Sequence, residues 1–152
     1  MMTHNELCDI AEKWLRGHCK ITAKEIVACT ATRECADAIG FTSSHSILIE
    51  CKTSRADFLA DLKKPFRQSP ELGMGDYRLY LCPRGLIQPN ELPPKWGLLW
   101  VYEDGNIERI IAPKGNIWSN SGLKQNKSYE AEYGLLYSLL RRGNERLTDY
   151  LK

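Results

Sequence analysis

The run Ser46-Ile47-Leu48-Ile49-Glu50-Cys51-Lys52-Thr53 restricts this chain more than any other stretch. Its aliphatic residues, its short length and the polar turn formers before it read as a buried strand. Two full charges nevertheless sit at its C-terminal end. Burying a charge is costly unless the charge is paired or binds a metal. Alternation along a strand puts Leu48, Glu50 and Lys52 on one face and Ile47, Ile49 and Cys51 on the other.

The preceding run, Glu34-Cys35-Ala36-Asp37-Ala38-Ile39-Gly40-Phe41, also reads as a strand, and Thr42-Ser43-Ser44-His45 as a polar turn. A hairpin closed by those four residues sets Phe41 opposite Ser46 and, counting back, Asp37 opposite Glu50. Two carboxylates then project from neighbouring strands with Lys52 beside them. Like charges facing across strands destabilise a sheet. A hard divalent cation such as Mg²⁺, held through carboxylate oxygens and water, removes that objection. A one-residue slip would instead turn Asp37 away. The competing reading is plainer: Glu50 and Lys52 form a partly exposed ion pair at a strand end, and Asp37 is a hairpin charge.

At 152 residues the chain suits a single domain, 1–152, with a real core. A formal net charge of +2 argues for no partner by itself, so any case for nucleic acid rests on local basic clusters. No apolar run approaches the roughly 20 residues that span a bilayer, and the N-terminus lacks the apolar segment of a signal peptide, so no membrane partner is expected. The six cysteines form no CxxC pair. Zinc-finger spacing is therefore absent, and they read as buried free thiols in a reducing cytoplasm. His4, His18 and His45 are scattered and read as surface or capping residues. Whether copies associate into a homo-oligomer is left open.

Taken in order, Thr3-x-x-Glu6 forms a capping box ahead of an amphipathic helix over roughly 4–17, with Leu7, Ile10, Ala11, Trp14 and Leu15 at helical spacing. A first strand is predicted at Glu25–Thr30, then the hairpin. Ser54 caps a short second helix carrying Phe58, Leu59 and Leu62, in which Asp57 and Asp61 lie one turn apart and read as cap and solvated face. Residues 68–76 read as a loop and Tyr77–Cys82 as a fourth strand, parallel to the third through a right-handed crossover. Pro89–Leu92 suggests a helical turn. Two further strands, Trp96–Tyr102 and Ile107–Ala112, flank Asp104-Gly105, a strong hairpin signal. Residues 113–127 read as a mobile loop. Ser128 then caps a last helix with Tyr133, Leu136, Leu139 and Leu140 turned inward and Gly143 as its breaker, and residues 144–152 add a turn or two.

The order helix, strand, strand, strand, helix, strand, with Asp37 and then Glu50-x-Lys52, resembles the PD-(D/E)xK nuclease superfamily over roughly residues 4–83. The segment Glu50-Cys51-Lys52-Thr53-Ser54-Arg55-Ala56-Asp57-Phe58-Leu59-Ala60-Asp61 is similar to the ExKxSRADFLAD run of the MmcB-like DNA-repair branch and related phage and bacterial proteins, and Asp76-Tyr77-Arg78-Leu79-Tyr80 is similar to its next strand. Ala36 stands in place of the superfamily proline. The resemblance implies an α/β, restriction-endonuclease-like fold, with a mixed sheet flanked by helices and extended here by a β-hairpin and a C-terminal helix. It also implies a Mg²⁺-dependent nuclease acting on DNA, with Mn²⁺ as a substitute ion.

On that reading Asp37, Glu50 and the Cys51 carbonyl hold the metal, and Glu6 is the candidate for the glutamate that many members carry on the first helix. Lys52 orients the attacking water or neutralises charge on the phosphate. Arg55, Lys63, Lys64 and Arg67 are candidates for contact with the nucleic-acid backbone. Trp96, Trp100, Trp118 and Tyr80 fit core packing better than base stacking. The alternatives are a catalytically silent DNA-binding repair module and a scaffold on the same fold.

Overall fold

Thr3 caps the first helix as its spacing predicts. Its hydroxyl accepts from the Glu6 amide and the Glu6 carboxylate accepts from the Thr3 amide, at 3.2 and 2.9 Å. The computed structural model describes residues 1–27 and 33–143. Helix α1 spans His4–Arg16 and buries Leu7, Cys8, Ala11 and Leu15. Strands β1 (Ile21–Val27), β2 (Cys35–Phe41) and β3 (Ser46–Cys51) follow, then α2 (Arg55–Asp61), α3 (Pro65–Gln68), β4 (Tyr77–Pro83), β5 (Trp96–Val101), β6 (Ile107–Ile111) and α4 (Tyr129–Arg142). Short 3₁₀ turns at Pro70–Leu72 and Pro89–Glu91 complete the order.

The six strands form one mixed sheet in sequence order. β1–β2, β2–β3 and β5–β6 pair antiparallel; β3–β4 and β4–β5 pair parallel. The fold is thus α/β, and the helix–strand–strand–strand–helix–strand order expected from sequence opens it. Helix α1 covers one face through Leu7, Ala11 and Leu15 against Ala38, Ile47, Ile49, Leu79 and Leu81. Its two fully buried leucines stabilise the fold by about 1.5–3 kcal/mol each. Gly40 lets this layer close, since a Cβ there would meet Cys19 Sγ at 2.7 Å. On the other face Phe58 of α2 and Ala131 and Leu135 of α4 pack on Ile39, Leu48, Tyr80 and Leu98. Glu50 and Lys52 lie beneath this second layer.

Several expectations change. β1 begins earlier than Glu25, and the predicted strand end at Ala28–Thr30 lies outside the described residues, as do residues 144–152. The loop after α2 contains α3. Residues 113–127 form no regular element, yet they are anchored: Trp118 is buried, Gln125 N donates to Asp76 O at 2.8 Å, and Lys127 pairs with Asp76 and Glu132 at 2.7 and 2.8 Å. Ser128 caps α4 as predicted. Tyr133 and Leu140, expected inward, are exposed; Ala131 and Leu135 take the buried positions instead, with Leu136 and Leu139 partly buried beside them. Gly105 supplies the left-handed φ of 86° that the β5–β6 hairpin needs.

Candidate metal and phosphate site

The β2–β3 register is the one read from the sequence, with Phe41 opposite Ser46 and Ala38 opposite Ile49. Thr42 N donates to His45 O, so hydrogen-bonded pairs recur every second residue from there. The next in phase beyond Ala38 and Ile49 is Ala36 with Cys51. The ladder ends before it, and the Cys51 amide donates to Asp37 Oδ2 at 2.8 Å. The Asp37 side chain therefore stands in for a strand carbonyl where β2 and β3 part. In such a ladder the amide and carbonyl of one residue face the same edge, so the Cys51 carbonyl opens toward this gap as well. The other Asp37 oxygen lies 3.2 Å from His4 Nε2 on the first turn of α1.

Glu50 is 2% exposed and meets different partners. Arg67 Nη2 lies 2.9 Å from Glu50 Oε1, and Lys52 Nζ lies 4.0 Å from Glu50 Oε2. Although close, Glu50 Oε1 and Arg67 Nη2 are each buried without an aligned hydrogen bond, so their contact is one of charge. Lys52 Nζ donates to Asp61 Oδ1 at 3.3 Å. Tyr80 Oη and Arg67 Nε donate to Asp61 Oδ2 at 2.6 and 2.8 Å, and Arg67 Nη1 donates to Glu34 Oε2 at 2.7 Å. Lys64 Nζ reaches Asp61 Oδ1 at 3.2 Å from the half-exposed rim.

Three carboxylates (Glu34, Glu50 and Asp61) thus share the network with three cationic side chains (Lys52, Lys64 and Arg67), and Asp37 stands outside it with His4. The two acids closest to Lys52 respond oppositely. Burial pushes the Glu50 carboxyl well above the usual range; Arg67 opposes the shift and the Asp37 charge adds to it. Burial would also raise Asp61, but Arg67, Lys52 and the Tyr80 hydrogen bond outweigh it and hold Asp61 at about 2. Arg67 and Lys52 compensate the ionised form of Glu50 only in part.

This chain is similar in structure to a solved protein of unknown function from Silicibacter pomeroyi. The TM-score is 0.63 at 22% identity, over 99% of this chain and 93% of that one. At that identity the likeness is one of fold. No family model matches the chain, and no curated protein matches it. Among the described residues, no helix is long and apolar enough to cross a membrane.

The structure gathers Asp37, Glu50, Lys52 and Cys51 at the end of β3, as the sequence suggested, but Asp37 and Glu50 are not a facing pair: one turns to His4 and the Cys51 amide, the other to Arg67 and Lys52. Glu6 is exposed and caps its own helix; the α1 residue that meets Asp37 is His4, which the sequence reading placed at the surface. Arg67 is not a surface contact for nucleic acid. It is 6% exposed, bound by three carboxylates, with its guanidinium 4.8 Å from the Trp96 ring. Arg55 is exposed but engages Glu91 and the Leu86 carbonyl. Lys63 and Lys64 are exposed on the α2–α3 connection. Asp61, read as solvated, is fully buried, while Asp57 is exposed. Its spacing was the available signal, since Asp61 lies three residues after Phe58 on the buried side of α2.

The donor set fits a hard cation. Glu50 Oε1 is buried without an aligned hydrogen bond although Arg67 lies 2.9 Å away, the Asp37 charge acts on Glu50, and the Cys51 carbonyl faces the gap beside Asp37, so the donors are carboxylate and carbonyl oxygens of the kind a hard cation takes.

Proposed function

We propose that this chain is a divalent-cation-dependent nuclease that hydrolyses phosphodiester bonds in DNA, in repair or in phage or bacterial DNA processing. The observation that carries the reading is the opening of the β2–β3 ladder at Asp37, beside a buried Glu50 whose charge is incompletely compensated. The similarity of Glu50–Asp61 to the PD-(D/E)xK superfamily and its MmcB-like branch supports the same chemistry. Asp37, Glu50 and the Cys51 carbonyl would hold Mg²⁺ or Mn²⁺. When bound, the ion polarises a phosphoryl oxygen and lowers the pKa of a bound water.

The remaining work falls to this chain's own groups. Asp61 and Glu50 hold the Lys52 ammonium at the end of β3, where it orients the attacking water and offsets charge developing on the phosphate. Arg67 fixes the Glu50 carboxylate. Lys63 and Lys64 offer positive charge to the backbone of the nucleic acid at the rim. Cys8, Cys19, Cys35, Cys51 and Cys82 are free thiols, which suits a reducing compartment such as the cytoplasm.

A second reading has one observation in its favour. Lys52 is 7% exposed and engaged with Asp61, as in a network that only braces the fold. Such a protein would bind DNA without cutting it. Supercoiled plasmid and short duplexes in Mg²⁺ or Mn²⁺, with a chelator control, separate the two; fluorescence anisotropy in Ca²⁺ reports binding. Metal-dependent cutting supports the nuclease. Binding without cutting selects the silent module, and neither selects a scaffold.

A further inference from the structure

Beside the hard-cation site lies a group of different chemistry. His4 and Cys8 are four residues apart on α1 and so share one helix face. Cys8 Sγ stands 3.7 and 3.8 Å from the two ring nitrogens of His4, and His4 Nε2 stands 3.2 Å from Asp37 Oδ1. One donor atom from each of the three residues lies within 4.8 Å of the others. We propose that His4, Cys8 and Asp37 bind a borderline-soft divalent ion of the zinc class, with water in the fourth position.

The spacing supports this. Ordinary zinc–ligand lengths in a tetrahedron separate nitrogen from oxygen by roughly 3.4 Å and nitrogen from sulfur by roughly 3.6 Å. The Asp37 and Cys8 separations from Nε2 are near both values, but Cys8 Sγ stands equally far from the two ring nitrogens, so the His4 ring must turn to aim Nε2 at an ion shared with Cys8. Asp37 is already oriented, because its other oxygen accepts from the Cys51 amide. Cys8 packs in the same buried cluster as Cys51, Leu7 and Ala11, which limits where its thiol can go. The capping box fixes the first turn of α1, and the His4 side chain, 45% exposed, gives the ion a way in.

Charge and donor type decide the ion. Thiolate and imidazole favour zinc over Mg²⁺, which prefers oxygen donors. On binding, the Cys8 thiol loses its proton to solvent, and neutral His4 coordinates through Nε2. One thiolate and one carboxylate then neutralise the divalent charge. Because Asp37 belongs to both groups, a zinc-class ion here occupies a ligand that Mg²⁺ needs and inhibits Mg²⁺-dependent cleavage. That consequence rests on the proposed nuclease function; the binding does not.

Cobalt(II) is the probe. Titrated into the full chain, it is expected to give visible bands of tetrahedral cobalt and a near-ultraviolet thiolate-to-cobalt band, both bleached by equimolar Zn²⁺ and weakened by Mg²⁺ only in large excess, since the two ions share Asp37. Cys8→Ser should remove the thiolate band, and His4→Ala, at an exposed position, should weaken binding at least tenfold even if the cysteine variant folds poorly. No thiolate band in the parent, or the same band at the same affinity in His4→Ala, overturns the proposal. A protein that cuts DNA in Mg²⁺ yet gives no band overturns only this site. One that gives the band but never cuts overturns only the nuclease.

Discussion

The Cys51 amide gives its hydrogen bond to the Asp37 carboxylate, at 2.8 Å, where the strand phase would have given it to the Ala36 carbonyl. One side chain thereby both ends the β2–β3 ladder and supplies a negative charge that acts on Glu50. Asp37→Ala leaves a buried amide without a partner and is expected to destabilise the protein by about 1–3 kcal/mol. Asp37→Asn keeps an acceptor for that amide and should cost less. Both variants should lose the rise in melting temperature that Mg²⁺ gives the parent. Thermal melts with and without Mg²⁺ check this; an unchanged Mg²⁺ response in Asp37→Asn would remove Asp37 from the metal ligands.

Arg67 sets a stability test. Three nitrogens of its guanidinium meet Glu34, Glu50 and Asp61 separately. Arg67→Met leaves those carboxylates buried with less opposing charge, and a loss of roughly 3–5 kcal/mol is expected in urea unfolding. Arg67→Lys should recover little, because a single ammonium cannot serve three directions. A surface phosphate contact would instead give near-normal stability with weaker, less salt-dependent DNA binding.

Much of this site was legible in the sequence. The hairpin turn fixed which residues of β2 and β3 face one another, and the Glu50-x-Lys52 alternation put both charges on one face. What could not be read was where the network's other members sit. Arg67 reads with Lys63 and Lys64 as a contact to the nucleic-acid backbone because α3 is only four residues long and carries no helical period. Asp61 and Tyr80 join through packing across α2 and β4, which local pattern does not encode. His4 and Cys8 do stand at helical spacing, but their meaning depends on Asp37 arriving from β2. In α4 the apolar residues wrap most of the helix, so the pattern alone did not choose between Leu135 and Tyr133 as the inward position.

Acid stability has a separate source at the base of α4. Burial would raise Asp76, but Lys127 and the Ser46 amide and hydroxyl hold it below the usual carboxylate range. A carboxyl depressed in the fold adds stability above its unfolded pKa, roughly 3.9, and loses it as pH falls through the folded value. Lys127→Met should therefore lower stability at neutral pH and show a shallower further loss on acidification than the parent. Melting temperature against pH checks both; parallel curves would mean that Lys127 does not set the Asp76 charge.

Lys52 separates chemistry from binding. Lys52→Met keeps the aliphatic stem and removes the ammonium, and it should slow cleavage by about 10²–10³ while DNA binding in Ca²⁺ persists. Lys52→Arg should not restore the rate, since a planar guanidinium does not replace a compact ammonium against Asp61. Single-turnover cleavage and anisotropy measure the two effects.

Glu50→Gln tests the central claim most directly, through Mg²⁺-dependent nicking of supercoiled plasmid compared with the parent, each preparation also melted without metal. Burial raises the Glu50 carboxyl, so removing its charge should leave the metal-free protein at least as stable as before. The expected result is a parent that nicks in Mg²⁺ and a variant that melts no lower yet nicks at least about 10²-fold more slowly. A parent that never nicks, or a Glu50→Gln protein that nicks at the parent's rate, would contradict it.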